Sequence, residues 1–242
     1  MSLRKDNLVS GEIYHIYNRG VDKRDIFMDD EDHFRFIHDL YEFNDKNPAI
    51  ILNNYLNKKI YSQSLEVGLP KIQRKPREML VEILAFCLMD NHFHLLVRQK
   101  EDNGITEFMR KIGTGYTNYI NKKYDRNGAL FQSKFKSVHV EKDAHLMYLP
   151  IYIHFNPLDY EFKEWRQGKI KDIKKALEFM ANYRWSSYPD YIGQKNFPSV
   201  ISKDFILGRL GSEEKYKKEV TNWLKSFEDI YEQNLSKNII LE

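Results

Sequence analysis

The sequence predicts an α+β protein with an antiparallel sheet of ferredoxin-like split βαβ order, followed by a helical C-terminal extension. Three observations predict it. Between residues 8 and 160, periods of two and of 3.6 alternate in the order strand, helix, strand, strand, helix, strand, which is the order of a split βαβ unit. The runs "MLVEILAFCLM" and "HFHLLVRQK" are apolar, of strand length, and joined by the tight pair Asp90-Asn91, a hairpin signature. After residue 160 the periodicity is mainly helical.

Each element has its own warrant. "GEIYHIYNRG" alternates Ile13, His15 and Tyr17 with Tyr14 and Ile16 and stops at a glycine, as a strand does. "DDEDHFRFIHDLYEF" places acids in a first turn, where the helix dipole favours them, and repeats Phe34, Ile37, Leu40 and Tyr41 at helical spacing. The stretch from about 46 to 78 is polar, with prolines at 48, 70 and 76, and reads as an insertion. "GITEFMRKIGTGYTNYINKKY" is a second helix, although Gly113 and Gly115 weaken its middle by about 1 kcal/mol each. "SVHVEK" is a fourth strand. "DAHLMYLPIYIHFNP" is helical, with Asp143 as its expected N-cap, an expected kink at Pro150 and a stop at Asn156-Pro157. "DIKKALEFMANY" and "EEKYKKEVTNWLKSFEDIYEQ" are helices of the extension. The expected division is a core unit over 1–160, with the insertion at about 46–78, and a mainly helical extension over 161–242 packed on it.

Bulk composition sets limits. The chain has 242 residues, 42% hydrophobic and 30% charged, with a net charge of +3, so a nucleic-acid partner is permitted without being required. A single cysteine, Cys87, excludes an internal disulfide and a cysteine-based zinc cluster. No run reaches the roughly 20 apolar residues of a membrane span, and "MSLRKDNLVSGE" lacks the apolar core of a signal peptide. The expectation is a cytoplasmic protein with no membrane partner.

The chemistry-bearing residues are few. In a strand, His92 and His94 point the same way. On the helix after the fourth strand, Tyr148, Tyr152 and Asn156 fall at i, i+4 and i+8, hence on one face. Two neutral imidazoles and an amide oxygen can hold a divalent cation with positions left for phosphate oxygens. A phenol beside such a phosphate can attack phosphorus once a cation or base assists it. The ordinary alternatives are a histidine pair without chemistry and a tyrosine packed on a sheet.

Four stretches in order, "YHIYNRGVDKRDIF", "FCLMDNHFHLLV", "NGALFQSKFKS" and "YIHFNPL", with a tail motif "WSSYPDYIG", weigh on this choice. Together they resemble the HUH single-tyrosine transposases, specifically the branch of REP-associated tyrosine transposases, over roughly residues 8–192. The resemblance implies the HUH endonuclease fold and makes His92 and His94 ligands of Mg²⁺ or Mn²⁺, with Asn156 as the third ligand. It makes Tyr152 the nucleophile; Tyr148, one turn earlier on the same face, is the alternative that the departure at Pro150 leaves open. It implies a transposase that cleaves and rejoins single-stranded hairpin DNA through a 5′-phosphotyrosine intermediate. Phosphotyrosine conserves the bond energy, so the strand transfer needs no nucleotide. The long polar stretch at 46–78 and Pro150 depart from the compact family pattern.

From Met109 to Lys136 the basic residues Arg110, Lys111, Lys122, Lys123, Arg126, Lys134 and Lys136 face one acid, Asp125, and alternate with aromatics. Cations track a phosphate backbone and aromatic faces stack unpaired bases, so this stretch is the expected DNA surface. Arg19, Lys23 and Arg24 add to it near the end of the first strand. The competing readings are a hairpin-binding protein of the same fold with little or no cleavage, and a small-phosphoester hydrolase, which lacks the extra carboxylates such a metal site needs. Monomer or homodimer, the DNA sequence recognised and the metal used all stay open at this level.

Overall fold

In a computed structural model, residues 8–47 and 76–226 are described, so most of the expected insertion lies outside the described residues. The first strand, β1 (Ile13–Arg19), turns Tyr14 and Ile16 into one core and Ile13 toward the other, as its alternation requires. Helix α1 (Asp30–Glu42) starts at Asp29, whose carboxylate accepts from the Asp32 backbone N–H at 3.0 Å, an N-cap bond. Its buried stripe is Phe36, Ile37 and Leu40. Phe34, expected in that stripe, is instead 42% exposed and meets Trp185 edge-on, with ring centres 5.0 Å apart.

Strands β2 (Val81–Met89) and β3 (His92–Gln99) form the hairpin that the Asp90-Asn91 turn predicts, with Met89 opposite His92 and Cys87 opposite His94. A bulge between Ile83 and Ala85 shifts the alternation, so Leu84 and Ala85 both join the same core cluster. Helix α2 (Gly104–Lys123) packs beside α1, and strand β4 (Lys136–His139) pairs antiparallel with β1. The sheet order is β2-β3-β1-β4, all neighbours antiparallel. That is the predicted split βαβ arrangement, in which β3 lies between two strands of like direction. The fold class is therefore α+β, as expected.

Helix α3 (Asp143–Phe155) is apolar all round and buried from both sides, which fits a helix between two layers. Its N-cap is Lys142 rather than Asp143, and no side chain caps it; Asp143 is the first helical residue, where its charge suits the dipole. Pro150 is buried inside the helix, which continues through it to Phe155. Beyond it come α4 (Leu158–Glu161), a tight 3-10 turn at Lys163–Gln167, α5 (Ile173–Asn182), α6 (Tyr188–Tyr191), α7 (Asp204–Leu210) and α8 (Glu213–Lys225). These helices share one apolar cluster with α3 and one sheet face, while α1 and α2 cover the other face. His154 ties the later segments in, with Tyr216 Oη and Ser187 Oγ each 2.7 Å from its ring nitrogens. The exposed edge of β2 is covered too: Leu88 N–H donates to Trp185, Ser187 N–H to Phe86 and Ser202 N–H to Ile83. No helix among the described residues is long and apolar enough to cross a membrane.

The two mid-helix glycines of α2, Gly113 and Gly115, differ sharply. A Cβ on Gly115 would stand 2.5 Å from the Phe43 ring, so the glycine is the notch through which α1's C-terminal end meets α2. Gly113 has nothing within 4 Å of that position. Gly115→Ala is expected to lower the unfolding free energy by about 1–3 kcal/mol through overpacking, and Gly113→Ala to raise it by roughly 0.5–1 kcal/mol. Urea unfolding of the two variants checks both signs.

Candidate active site

The site grows from one cross-strand register. β1 and β3 pair so that Tyr17 stands opposite His94 and Arg19 opposite His92. Residues opposite one another share a face, so His15, Tyr17 and Arg19 join His92 and His94 on the face that α3 covers. The turn after β1 is fixed to the hairpin: Gly20 N–H donates to the Asn91 carbonyl at 2.8 Å, and the Asn91 side chain donates to the Lys23 carbonyl at 3.0 Å. A Cβ on Gly20 would collide with the Arg24 carbonyl oxygen, which explains the glycine.

A pocket of about 200 Å³ opens there, lined by Tyr17, Asn18, Arg19, Lys23, Asn91, His92, His94, Gln132, Ser133 and Lys136. His92 Nδ1 lies 2.6 Å from Asn91 Oδ1, an amide oxygen that can only accept, so Nδ1 carries the proton and Nε2 keeps its lone pair. His94 Nδ1 lies 2.9 Å from His15 Nε2. Each ring thus has Nε2 left for a cation, and the two ring centres are 5.1 Å apart. Burial pushes His92 down to about 4, opposed by Asp159 and reinforced by Arg166 and Arg19. Burial also holds His94 well below its ordinary value, with His15, His92 and Arg166 adding to the effect, and burial alone lowers His15 to about 3. Neutral imidazole is the form that binds a metal.

Among the described residues no three His, Cys, Asp or Glu side chains gather to hold a metal. A third protein ligand there would have to be of another type, and an amide oxygen such as that of Asn156 qualifies. Asn156 is the C-cap of α3 and is buried; its side-chain nitrogen donates to the Tyr152 and Ile153 carbonyls, both at 3.1 Å, which leaves Oδ1 as its ligand atom. The two free Nε2 atoms and that oxygen fit the chemistry of a divalent cation.

Tyr152 is 1% exposed, and its hydroxyl accepts a hydrogen bond from Arg166 Nη1 at 2.9 Å. Arg166 is in turn paired with Asp159 at 2.8 Å. Burial opposes the charge of Arg166, but its bonds to Asp159 and Tyr152 outweigh this and hold it firmly protonated. Tyr148 packs on Trp223 instead, with ring centres 4.6 Å apart.

The expected DNA contacts divide. Arg19 and Lys136 line the pocket. Exposed Lys134 follows the pocket residues Gln132 and Ser133, and Arg126 lies half-buried in the loop after α2. Arg24 is exposed and pairs with Asp22 at 3.2 Å. Arg110, Lys111, Lys122 and Lys123 ride on α2, in the layer on the opposite sheet face from the histidines. Lys123 is bound by Asp29, Glu31 and Asp32 at 2.8–3.0 Å, and Lys111 by Glu107 at 3.2 Å, so both charges are answered within the fold. Sequence reasoning missed Arg166, Asp159 and Gln132. No signal in "DYEFKEWRQG" sets Arg166 apart from the neighbouring charges.

The buried imidazoles also set an acid limit on stability. The unfolded chain binds their protons near pH 6.5, whereas the folded chain waits until about 3 for His15 and His154 and about 4 for His92. Stability is therefore full above pH 6.5 and falls as pH drops through the window from 6.5 to about 3. Thermal midpoints measured in chelator should be lower at pH 5 than at pH 7.5; equal midpoints would contradict the burial of these rings as neutral groups.

Comparison with known proteins agrees with the motifs. Residues 43–156 match the family model described as "Transposase IS200 like". A search of curated proteins finds no match. Among solved structures, one described as a REP-associated tyrosine transposase bound to a REP hairpin is 12% identical, with a TM-score of 0.48, and the match covers 84% of this chain and 92% of that one. Residues 43–156, just under half of the chain, are thus similar to the IS200-like transposases.

Proposed function

We propose that the protein is a transposase that cleaves and rejoins single-stranded hairpin DNA through a 5′-phosphotyrosine on Tyr152. The observation that supports this reading is the pocket, with two imidazoles that have free Nε2 atoms and cations at its rim, together with a tyrosine bonded to Arg166, whose charge both imidazoles feel. His92, His94 and Asn156 would hold Mg²⁺ or Mn²⁺, which when bound supplies Lewis-acid polarisation of the scissile phosphate. Arg19 and Lys136 would hold the flanking phosphates, with Arg24, Arg126 and Lys134 extending the track. The α2 cations Arg110 and Lys122 would meet DNA only if it wraps around the sheet, and Lys111 and Lys123 only if their ion pairs open. The catalytic unit is residues 1–160 and the helical extension 161–242, with the extension contributing Arg166 to the site.

A second reading, hairpin binding with little cleavage, is favoured by one observation, the 1% exposure of Tyr152. An adduct assay separates the two. Labelled hairpin DNA incubated with the protein and Mn²⁺ should give a protein–DNA species that survives denaturation. Tyr152→Phe should abolish it and leave hairpin affinity nearly intact, while Tyr148→Phe should retain it. Binding without any adduct would select the second reading.

His15 serves this reading as an outer partner. Its Nε2 holds His94 Nδ1, and its own Nδ1 is buried without a hydrogen bond. Outer-shell partners fix the tautomer of a ligating histidine. His15→Phe is expected to weaken Mn²⁺ binding roughly 10-fold, at the low end of such losses, read by electron paramagnetic resonance titration of free Mn²⁺; unchanged affinity would remove His15 from the site.

A further inference from the structure

Arg166 lies outside the span that matches the transposase family, in the tight turn Lys163–Gln167. Its guanidinium is held on three sides. Nη2 and Nε donate to the two Asp159 oxygens at 2.8 and 3.2 Å, Nη1 donates to Tyr152 Oη at 2.9 Å, and the Trp165 ring lies beneath at 4.5 Å. Asp159 is itself fixed by the Trp165 indole N–H at 2.6 Å. The Arg166 side chain is 31% exposed, whereas Tyr152 is 1% exposed. The guanidinium thus joins the phenolic oxygen by a hydrogen bond and carries a charge that both His92 and His94 feel.

We propose that Arg166 is a further catalytic residue, donating to the attacking phenolic oxygen of Tyr152 and to the phosphoryl oxygens of the scissile DNA phosphate, with Asp159 as its positioning residue. The proposal rests on Tyr152 being the nucleophile. A planar fork with several donors matches the geometry of a phosphate, and one edge is already anchored by a carboxylate. In the proposed complex, a phosphodiester held at the histidines would also meet the phenolic oxygen and the guanidinium bonded to it. As the Oη–P bond forms, the P–O3′ bond breaks, the phenolic proton ends on the released 3′-hydroxyl, and the phosphodiester charge is conserved. The negative charge that builds on the phenolic and phosphoryl oxygens during attack lies where Nη1 already points. An ion pair with Asp159 alone gives no reason to bring in the phenol.

The test uses the full chain, labelled hairpin DNA and Mn²⁺, and reads hairpin affinity and the rate of adduct formation separately. Arg166→Ala should leave affinity nearly unchanged and slow the adduct roughly 100-fold. Arg166→Lys should fall between the two, and millimolar guanidinium ion should restore part of the Arg166→Ala rate. If Arg166→Ala melts below the assay temperature, Arg166→Gln, which keeps a donor for Asp159 without the charge, takes its place and should show the same slowing. A parental adduct rate in any folded neutral variant overturns the proposal, as does a loss of rate no larger than the loss of affinity. Tyr152→Phe separates the levels: an adduct that survives it sinks the nucleophile assignment, whereas its loss beside a parental Arg166→Gln rate sinks only the role of Arg166.

Discussion

The pairing of β1 with β3 is the constraint on which the site depends. Tyr17 opposite His94 and Arg19 opposite His92 put a third imidazole, His15, an aromatic face and a cation around the two imidazoles. Strand side chains alternate with a period of two, so a slip of one residue would send His15, Tyr17 and Arg19 into the α1–α2 layer and leave the histidines without neighbours. The register is enforced at both ends. At one, Gly20 N–H meets the Asn91 carbonyl; at the other, Gly11 N–H meets Gln99 and Gln99 N–H meets Glu12. On the opposite face, Tyr14, Ile16, Phe93, Leu95 and Val97 sink into the core, so a slipped strand would expose that set as well.

Burying polar groups on the α3 face carries a cost that the structure answers locally. Three imidazoles are removed from water and respond by staying neutral. Arg166, whose charge His92 and His94 feel, is answered by Asp159, and Asp159 by Trp165. Removing one member of such a chain leaves another buried charge unanswered, which costs more than the pair is worth. The site is preorganised in this sense: its histidines, carboxylate and guanidinium are each held by a neighbour.

Much of this is legible from the sequence, and the limits have physical causes. The sheet order follows from the order of periods, and the shared face of His92 and His94 from strand alternation. Phe34 departs from its expected place because a helical stripe wide enough to include it cannot be told from a narrower one without knowing that Trp185 offers it a surface partner. Asp143 reads as a cap because the residue type fits, but Lys142 has the extended backbone of the cap position. The basic run 109–136 counts as one patch in the sequence, although its first half is on a helix beneath the sheet and its second half reaches the pocket rim. A linear charge count cannot see which side of a sheet a residue occupies. Lys123 shows the same limit, since the carboxylates that bind it come from α1 and its cap, about ninety positions earlier.

Arg166 is invisible in the sequence for a related reason. The motifs that carry the resemblance end near Asn156, apart from a tail, and the turn that bears Arg166 has no pattern of its own. Its position follows from the burial of α3. Because that helix is apolar on every side, it cannot end at solvent; α4 and the following turn must fold back over it, and Trp165 is drawn down onto Phe155 and Tyr152 as a core residue. A side chain next to such an anchored tryptophan is held over the same helix, and position 166 faces the phenol. The segment that completes the apolar core thereby also brings a cation to the tyrosine, so the packing of the later helices and the chemistry of the site are consequences of one burial.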